Sequence, residues 1–296
     1  MEVKNRKPVQ SISSPREIIE ALEKHQYVAD EEFATALFLL LRLRKPLLLE
    51  GPPGVGKTEI AVVLSQLLET RLIRLQCYEG LDINAAVYEW NYQKQLLGIK
   101  LQEGAGLSVE EKAHHIFSQE YLLMRPLLQS IMEKRKAPVL LIDEIDRSDE
   151  EFEAFLLELL SVFQISIPEL GTLKAKHKPY VILTSNRTRE LSDALKRRCL
   201  YHWIDYPDLE KEMLIVNKRL PGIEQLLLQQ VVGYVQEFRK RKLEKTPGVS
   251  ETIDWAESLV ALGYREMNAK AFVQTLGAVL KSVDDINQVK NEFAAS

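Results

Sequence analysis

Short, fully apolar runs alternate with segments of helical periodicity through the first two-thirds of the chain. Leu47-Leu48-Leu49, set off by Pro46, has the length and neighbours of a buried parallel strand, and Val139-Leu140-Leu141-Ile142 repeats the pattern. Leu72 to Leu75, Tyr180 to Thr184 and Tyr201 to Ile204 read as further strands. Ser14-Pro15 supplies an N-cap and first helical residue for a helix to about Lys24, and residues 1–13 read as a loose tail. Asp30 to Leu43, Thr58 to Thr70 and the acidic stretch Glu150 to Phe163 carry helical spacing as well. This alternation predicts an α/β fold: a mainly parallel sheet sandwiched by helices. Beyond Pro207 only helices follow, interrupted at Pro221-Gly222, Thr246-Pro247-Gly248 and Gly263. Two domains are expected, an α/β domain over 1–206 and a small all-helical one over 207–296.

Composition adds mostly exclusions. Hydrophobic residues make up 46% and charged residues 28%, an ordinary globular balance that rules out a disordered or disulfide-built chain. With a net charge of −4, bulk attraction to nucleic acid or an anionic membrane is not expected. The apolar stretch ending at Arg42 falls well short of the roughly 20 residues that span a bilayer. The N-terminus has no apolar run behind its positive charges, and Cys77 and Cys199 are the two cysteines. A soluble cytoplasmic protein without structural disulfides is the expectation.

The chemistry concentrates at three places. Gly51-Pro52-Pro53-Gly54-Val55-Gly56-Lys57-Thr58 follows a predicted strand and opens a predicted helix. That context turns G-x-x-x-x-G-K-[ST] into a phosphate cradle: backbone N–H groups curl inward, Lys57 adds a point charge, and Thr58 offers a hydroxyl to Mg²⁺. Asp143-Glu144 ends a neighbouring strand, where a carboxylate reaches the ligand crevice of a parallel sheet. Asp143 suits Mg²⁺, and Glu144 suits polarising a water. Asn186, closing Val181 to Asn186, either positions that water or simply ends a strand. Lys196-Arg197-Arg198 supplies either an arginine that reaches a neighbouring subunit's γ-phosphate or a solvated helix end. The N-K-x-D guanine motif is missing, since Asn217-Lys218-Arg219-Leu220 lacks its Asp, and with the adjacent Glu144 this sets the site apart from guanine-nucleotide switches.

These parts in this order resemble the AAA+ ATPases. Together with Asp143-Glu144-Ile145-Asp146-Arg147, the hairpin-like Gln164 to Gly171 and Thr184-Ser185-Asn186, they are similar to the MoxR family. Leu75 to Gly80, Tyr88-Glu89-Trp90 and Leu200 to Pro207 look like the subgroup that accompanies carbon monoxide dehydrogenase and related molybdenum hydroxylases. The resemblance implies a homo-oligomeric, hexameric ring and ATP-driven remodelling or metal-cofactor maturation of a client. It also implies a partner carrying a von Willebrand factor A domain. By matched position, Lys57 and Thr58 bind phosphate and Mg²⁺, Asp143 and Glu144 form the acidic pair, Asn186 is the first sensor, and Arg197 or Arg198 is the finger. Val28-Ala29-Asp30 matches the segment lining the adenine pocket. The family's second sensor arginine should fall near Ser250-Glu251-Thr252; none stands there, and Arg265 is a poor substitute.

Two other functional classes stay open beside the remodelling ATPase: a nucleotide-gated binding module with little turnover, and a nucleic-acid-dependent ATPase. The separation of Lys57 from Asp143 exceeds one strand–helix passage, so residues 85–125, punctuated by Gly98, Gly104 and Gly106, hold an insert that grips a client or is inert. His114 and His115 diverge on a helix and are poor joint metal ligands, and Arg239 to Lys242 reads as a solvated basic helix end.

Overall fold

A computed structural model describes residues 12–102 and 108–295; Gly104, Gly106 and most of the predicted tail lie outside the described residues. The first elements are α1 (Pro15–Glu23), α2 (Glu31–Leu43), β1 (Leu47–Glu50), α3 (Glu59–Leu67) and β2 (Leu72–Gln76). The predicted insert holds α4 (Ile83–Ala86), β3 (Tyr88–Trp90), α5 (Tyr92–Leu101), α6 (Val109–Ile116) and β4 (Leu122–Met124). Next come α7 (Pro126–Met132), β5 (Val139–Asp143), α8 (Glu150–Val162), β6 (Gln164–Ile167), β7 (Gly171–Lys174), β8 (Tyr180–Ser185), α9 (Asp193–Arg198) and β9 (Leu200–Trp203). The chain closes on α10 (Leu209–Arg219), α11 (Gln225–Arg239), α12 (Val249–Ala261), α13 (Ala269–Val279) and α14 (Val283–Ala295).

Two compact units interleave along the sequence. The first takes residues 35–50 and 61–202; the second takes 13–34, 51–60 and 203–296. The first is built on a five-stranded parallel sheet in the order β2-β5-β8-β1-β9. Leu47 to Leu49 and Val139 to Ile142 are completely buried, as strands covered on both faces must be. Asp149 caps α8 by accepting from Phe152 N at 2.8 Å, and Phe163 ends it in the left-handed region at φ 50. The chain then turns into the antiparallel hairpin β6–β7, with Gly171 at φ 76. In the insert, β3 and β4 pair antiparallel, Trp90 opposite Leu122. Inward-facing Gln95 of α5 donates to the Ile116 carbonyl at 2.8 Å, whereas Tyr92, Leu96, Leu97 and Leu101 of that helix are exposed.

The second unit has a core of Phe238, Trp255 and Phe272, with Trp255 Nε1 donating to Thr275 at 2.7 Å. Buried beside it, Arg239 forms a two-pronged pair with Glu212 at 2.6 and 2.7 Å. Thr252 and Gln236 donate to the same carboxylate, at 2.6 and 2.7 Å. Arg239 therefore departs from the solvated helix end expected of residues 239–242: the carboxylate on α10 draws it inward. Among the described residues no helix is long and apolar enough to cross a membrane, and no cluster of potential metal ligands of three or more His, Cys, Asp or Glu occurs.

Candidate functional site

The register of the sheet brings Asp143, Glu144 and Asn186 to one edge. β8 lies between β5 and β1, with Ser185 opposite Glu50, while Gln76 on β2 stands opposite Asp143. Asp143 is buried, and each of its oxygens is held. Thr184 Oγ1 donates to Oδ1 at 2.5 Å, and Arg74 donates to Oδ2 through Nε at 3.0 Å and Nη2 at 2.6 Å. The same Thr184 hydroxyl accepts from Glu144 N at 2.9 Å, so a single side chain fixes both acidic residues. Glu144 adopts φ 55, a conformation rare outside glycine and concentrated at functional sites. Its Oε2 accepts from Gln76 Nε2 at 3.0 Å and pairs with Arg147 Nε at 2.9 Å.

Asn186 follows β8, and its backbone N–H is anchored by the buried Asp146 at 3.2 Å. The same Asp146 oxygen accepts from Thr188 N at 2.9 Å and Thr188 Oγ1 at 2.7 Å. Cys77, backed by Asp143, Asp146 and Glu144, has its thiol pushed up to about 12 by burial first and these charges second. Glu50 ends β1 as a buried carboxylate that accepts from Tyr201 at 3.1 Å and Ser185 at 3.3 Å. Sequence reasoning missed Glu50, Arg74 and Gln76. Alternation of exposed and buried positions along Leu72 to Gln76 marks Arg74 and Gln76 as one face, but only the β2–β5 register aims that face at the acidic pair.

Gly51 to Thr58 belongs to the second unit, continuing directly from Glu50. A Cβ on Gly51 would overlap the Ile204 carbonyl, and Gly54 and Gly56 hold φ 76 and 90, so glycine is required at each. The loop folds over Lys57, whose Nζ donates to the Gly51 and Pro52 carbonyls at 2.7 Å each. The first turn of α12 grips the loop: Val249 N and Ser250 N donate to the Gly54 carbonyl at 2.9 and 3.2 Å. Gly248 packs so closely that a Cβ there would lie 2.8 Å from Gly54 Cα. Glu251 occupies this first turn and accepts from Gly248 N at 2.9 Å. No arginine starts from Ser250 to Thr252, and Arg265 sits exposed beyond the helix.

Val28 and Ala29 lie in the same unit between Tyr27 and the α2 cap, where Asp30 accepts from Phe33 N at 2.8 Å and pairs with Lys211 at 2.6 Å. Burial, then the charges of Glu59 and Asp30, raise the Tyr27 hydroxyl pKa, which sets this segment beside the start of α3. In the first unit, Arg197 and Arg198 are exposed at the end of α9. That helix is anchored by Ser192 N donating to the buried Glu153 at 3.0 Å. Cys199 beside them has its thiol raised to about 12 by burial, so the arginines do not create a reactive thiolate. Asp143 in the first unit and Thr58 in the second each carry a hard oxygen of the kind that magnesium takes.

The chain is similar to several known proteins. An uncharacterised protein of Staphylococcus haemolyticus is 26% identical over 247 residues, covering 81% of this chain and 85% of that one. An uncharacterised protein of Staphylococcus aureus is 27% identical over 224 residues, covering 73% and 76%. Among solved structures, the Thermotoga maritima RuvB Holliday junction branch migration motor aligns at 18% identity and TM-score 0.45, over 89% of this chain and 71% of that one. A mutant of the same RuvB aligns at 18% identity and TM-score 0.49, over 85% and 70%. The family described as AAA domain (dynein-related subfamily) matches residues 46–199, from the residue before β1 to the residue before β9. With its parallel sheet, phosphate loop and strand-ending acidic pair inside that span, the chain belongs to this AAA family.

Proposed function

We propose that the protein is a Mg²⁺-dependent ATPase whose subunits work as a ring to remodel a client protein. The observation that carries the hydrolytic reading is the division of labour imposed by Thr184. Asp143 is buried and held on both oxygens, whereas Glu144 is turned outward on a strained backbone. A fixed carboxylate suits a cation, and Thr58 adds a second hard oxygen. Mg²⁺, when bound, offsets the charge on the phosphate oxygens. Glu144 draws a proton from the attacking water, which bonds to the γ-phosphorus as ADP leaves. Asn186, its backbone fixed by Asp146, orients that water. Lys57 exchanges the Gly51 and Pro52 carbonyls for phosphate oxygens, with the loop N–H groups from Gly51 to Thr58 around them. Val28 and Ala29 face the adenine, and Arg197 or Arg198 completes a neighbour's site.

The resemblance to MoxR supports a hexamer, a von Willebrand factor A partner and, in its narrower form, a molybdenum hydroxylase client. The exposed apolar side chains of α5 in the insert support client gripping over an inert loop. Glu144→Gln tests the core of the proposal: it should bind ATP normally and turn over at least about a hundredfold more slowly. Wild-type turnover in that variant would remove Glu144 as the base.

A second reading, a nucleotide-gated module with little turnover, is favoured by one feature: Glu251 and Thr252 stand in the α12 turn where a lid arginine was expected. Steady-state hydrolysis with and without a client separates the two, since stimulation belongs to a motor and a flat, very low rate to a switch.

A further inference from the structure

In a parallel sheet all strands start at one end, so the residues just before each strand share one edge, opposite the acidic pair. In this chain each such connection carries at least one cation, with Glu69 beside the one before β2 and Glu133 beside those before β5. Arg44 and Lys45 precede β1, Arg71 precedes β2, and Lys134 to Lys136 precede β5. Lys176 and Lys178 precede β8, and Lys196 to Arg198 precede β9. The connections touch: Thr70 Oγ1 donates to the Ala137 carbonyl at 2.9 Å, Arg44 to the Lys178 carbonyl at 3.0 Å, and Leu200 N to the Pro46 carbonyl at 2.7 Å. The cations therefore form one band across five strands, about 19 Å long at the usual strand spacing.

The band is partly neutralised: Lys196 pairs with Glu190 at 3.8 Å, and Glu133 feels the charges of Arg71 and Arg135. Lys45, Lys134, Arg135 and Lys176 are exposed, and their side chains make no ion pair with a described residue. The adjoining Glu133 is turned onto its own backbone, accepting from Lys134 N at 2.9 Å and Arg135 N at 3.1 Å. Burial and then the nearby Arg44 charge hold the Lys178 ammonium below its ordinary pKa, as expected where like charges crowd. Such an edge on a chain of net charge −4 leaves the remainder of the surface strongly acidic.

We infer that this N-terminal edge of the sheet is a docking surface for a short acidic polypeptide segment of a partner or client. The inference does not rest on hydrolysis, but it shares Arg197 and Arg198, at the β9 end of the band, with the proposed contact to a neighbour's nucleotide. An extended segment of about six residues matches the length of the band. A nucleic-acid duplex, with one charge per about 1.7 Å of axis, would run past the band over the acidic remainder. Screening confines the band's attraction to about 8 Å, so it rewards a ligand whose charge stays within it. Single-stranded nucleic acid needs free ring faces to stack on. Here Arg44 lies 3.7 Å from the centre of the Tyr180 ring and Lys178 Nζ 4.6 Å from that of Phe163, so those rings are already covered.

The test uses the full chain and a fluorescein-labelled octaglutamate peptide, followed by anisotropy across a salt series. The comparison variant is Lys45→Glu/Lys134→Glu/Lys176→Glu, whose residues take no part in nucleotide chemistry. Wild type should bind the peptide in a salt-sensitive way, and the variant at least about tenfold more weakly. The thermal melt and ATP binding should be unchanged. No binding by wild type, or equal binding by the variant, overturns the proposal. So does tighter binding of a short mixed-sequence DNA duplex through the same three lysines. A variant that loses self-association while keeping the peptide also overturns it, by assigning the edge to a second copy of the chain.

Discussion

The side-chain amide of Gln76 donates to Glu144 Oε2 at 3.0 Å, from the strand beside the one that carries the acidic pair. The same amide oxygen accepts from Arg74 at 2.5 Å, and Arg74 in turn holds Asp143. One edge strand thus restrains both acidic residues. Since a hydrogen bond to a charged group contributes about 1.5–3 kcal/mol, Gln76→Ala should loosen Glu144, which keeps its pair with Arg147, and raise basal ATPase several-fold with little change in ATP affinity. A rate that falls at unchanged affinity would make Gln76 part of the productive arrangement instead.

The parts of the fold that were legible in the sequence are those dictated locally. Strands β1, β5 and β8 coincide with the apolar runs, and α8 with its acidic amphipathic stretch, because burial on both faces or on one face leaves a direct periodic trace; the partly exposed β9 starts and ends one residue before the expected Tyr201 to Ile204. Asp143, Glu144 and Asn186 were expected at strand ends, and they lie at or just beyond the ends of β5 and β8. Arg74, Gln76 and Glu50 were not legible, since their meaning comes from strand neighbours far away in the chain. Arg239 was misread for the same reason: nothing in a basic run announces Glu212 on another helix.

Asp146 predicts a coupling between stability and chemistry. Asp146→Ala would remove the acceptor of the N–H groups of Asn186 and Thr188, which Asp146 accepts at 3.2 and 2.9 Å. A loss of about 1–3 kcal/mol in urea unfolding is expected, together with reduced turnover at near-normal ATP binding. Unfolding at the wild-type midpoint would show that the Asn186 turn is held by other means.

The Glu212–Arg239 pair makes a sharper stability prediction. Arg239→Ala leaves a buried carboxylate without its cation and should cost about 3–5 kcal/mol. Adding Glu212→Gln to it should recover part of that loss, because the uncompensated charge is then gone. Denaturation followed by tryptophan fluorescence reads both, and a double variant no better than the single one would contradict the account.

Both thiols should be inert at neutral pH. Their folded values lie near 12 against an ordinary 9.0, mainly through burial. Raised pKa values mean that the folded chain keeps protons that the unfolded chain releases. The stability they contribute is complete below about 9 and is lost as pH rises toward 12. Iodoacetamide at pH 8 should label neither cysteine in the folded protein and both in urea. Rapid labelling of Cys199 when folded would mean that its neighbouring arginines do activate it.

Assembly is tested by Arg197 and Arg198, which stand exposed at the end of an anchored helix rather than folded back onto the sheet. If either acts on a neighbour's nucleotide, each site is complete only when two subunits meet, and activity per subunit must rise with protein concentration. Such fingers are worth about 10³–10⁵ in rate, so Arg197→Ala/Arg198→Ala should be nearly inactive alone, as should Glu144→Gln. Mixed together, the two defective chains can place an intact Glu144 against an intact neighbouring arginine, and part of the rate should return. The recovery should depend on the mixing ratio, peaking where unlike neighbours are most frequent. A mixture as inactive as its components, with a monomer in sedimentation and a wild-type rate independent of concentration, would confine the arginines to their own subunit and remove the ring.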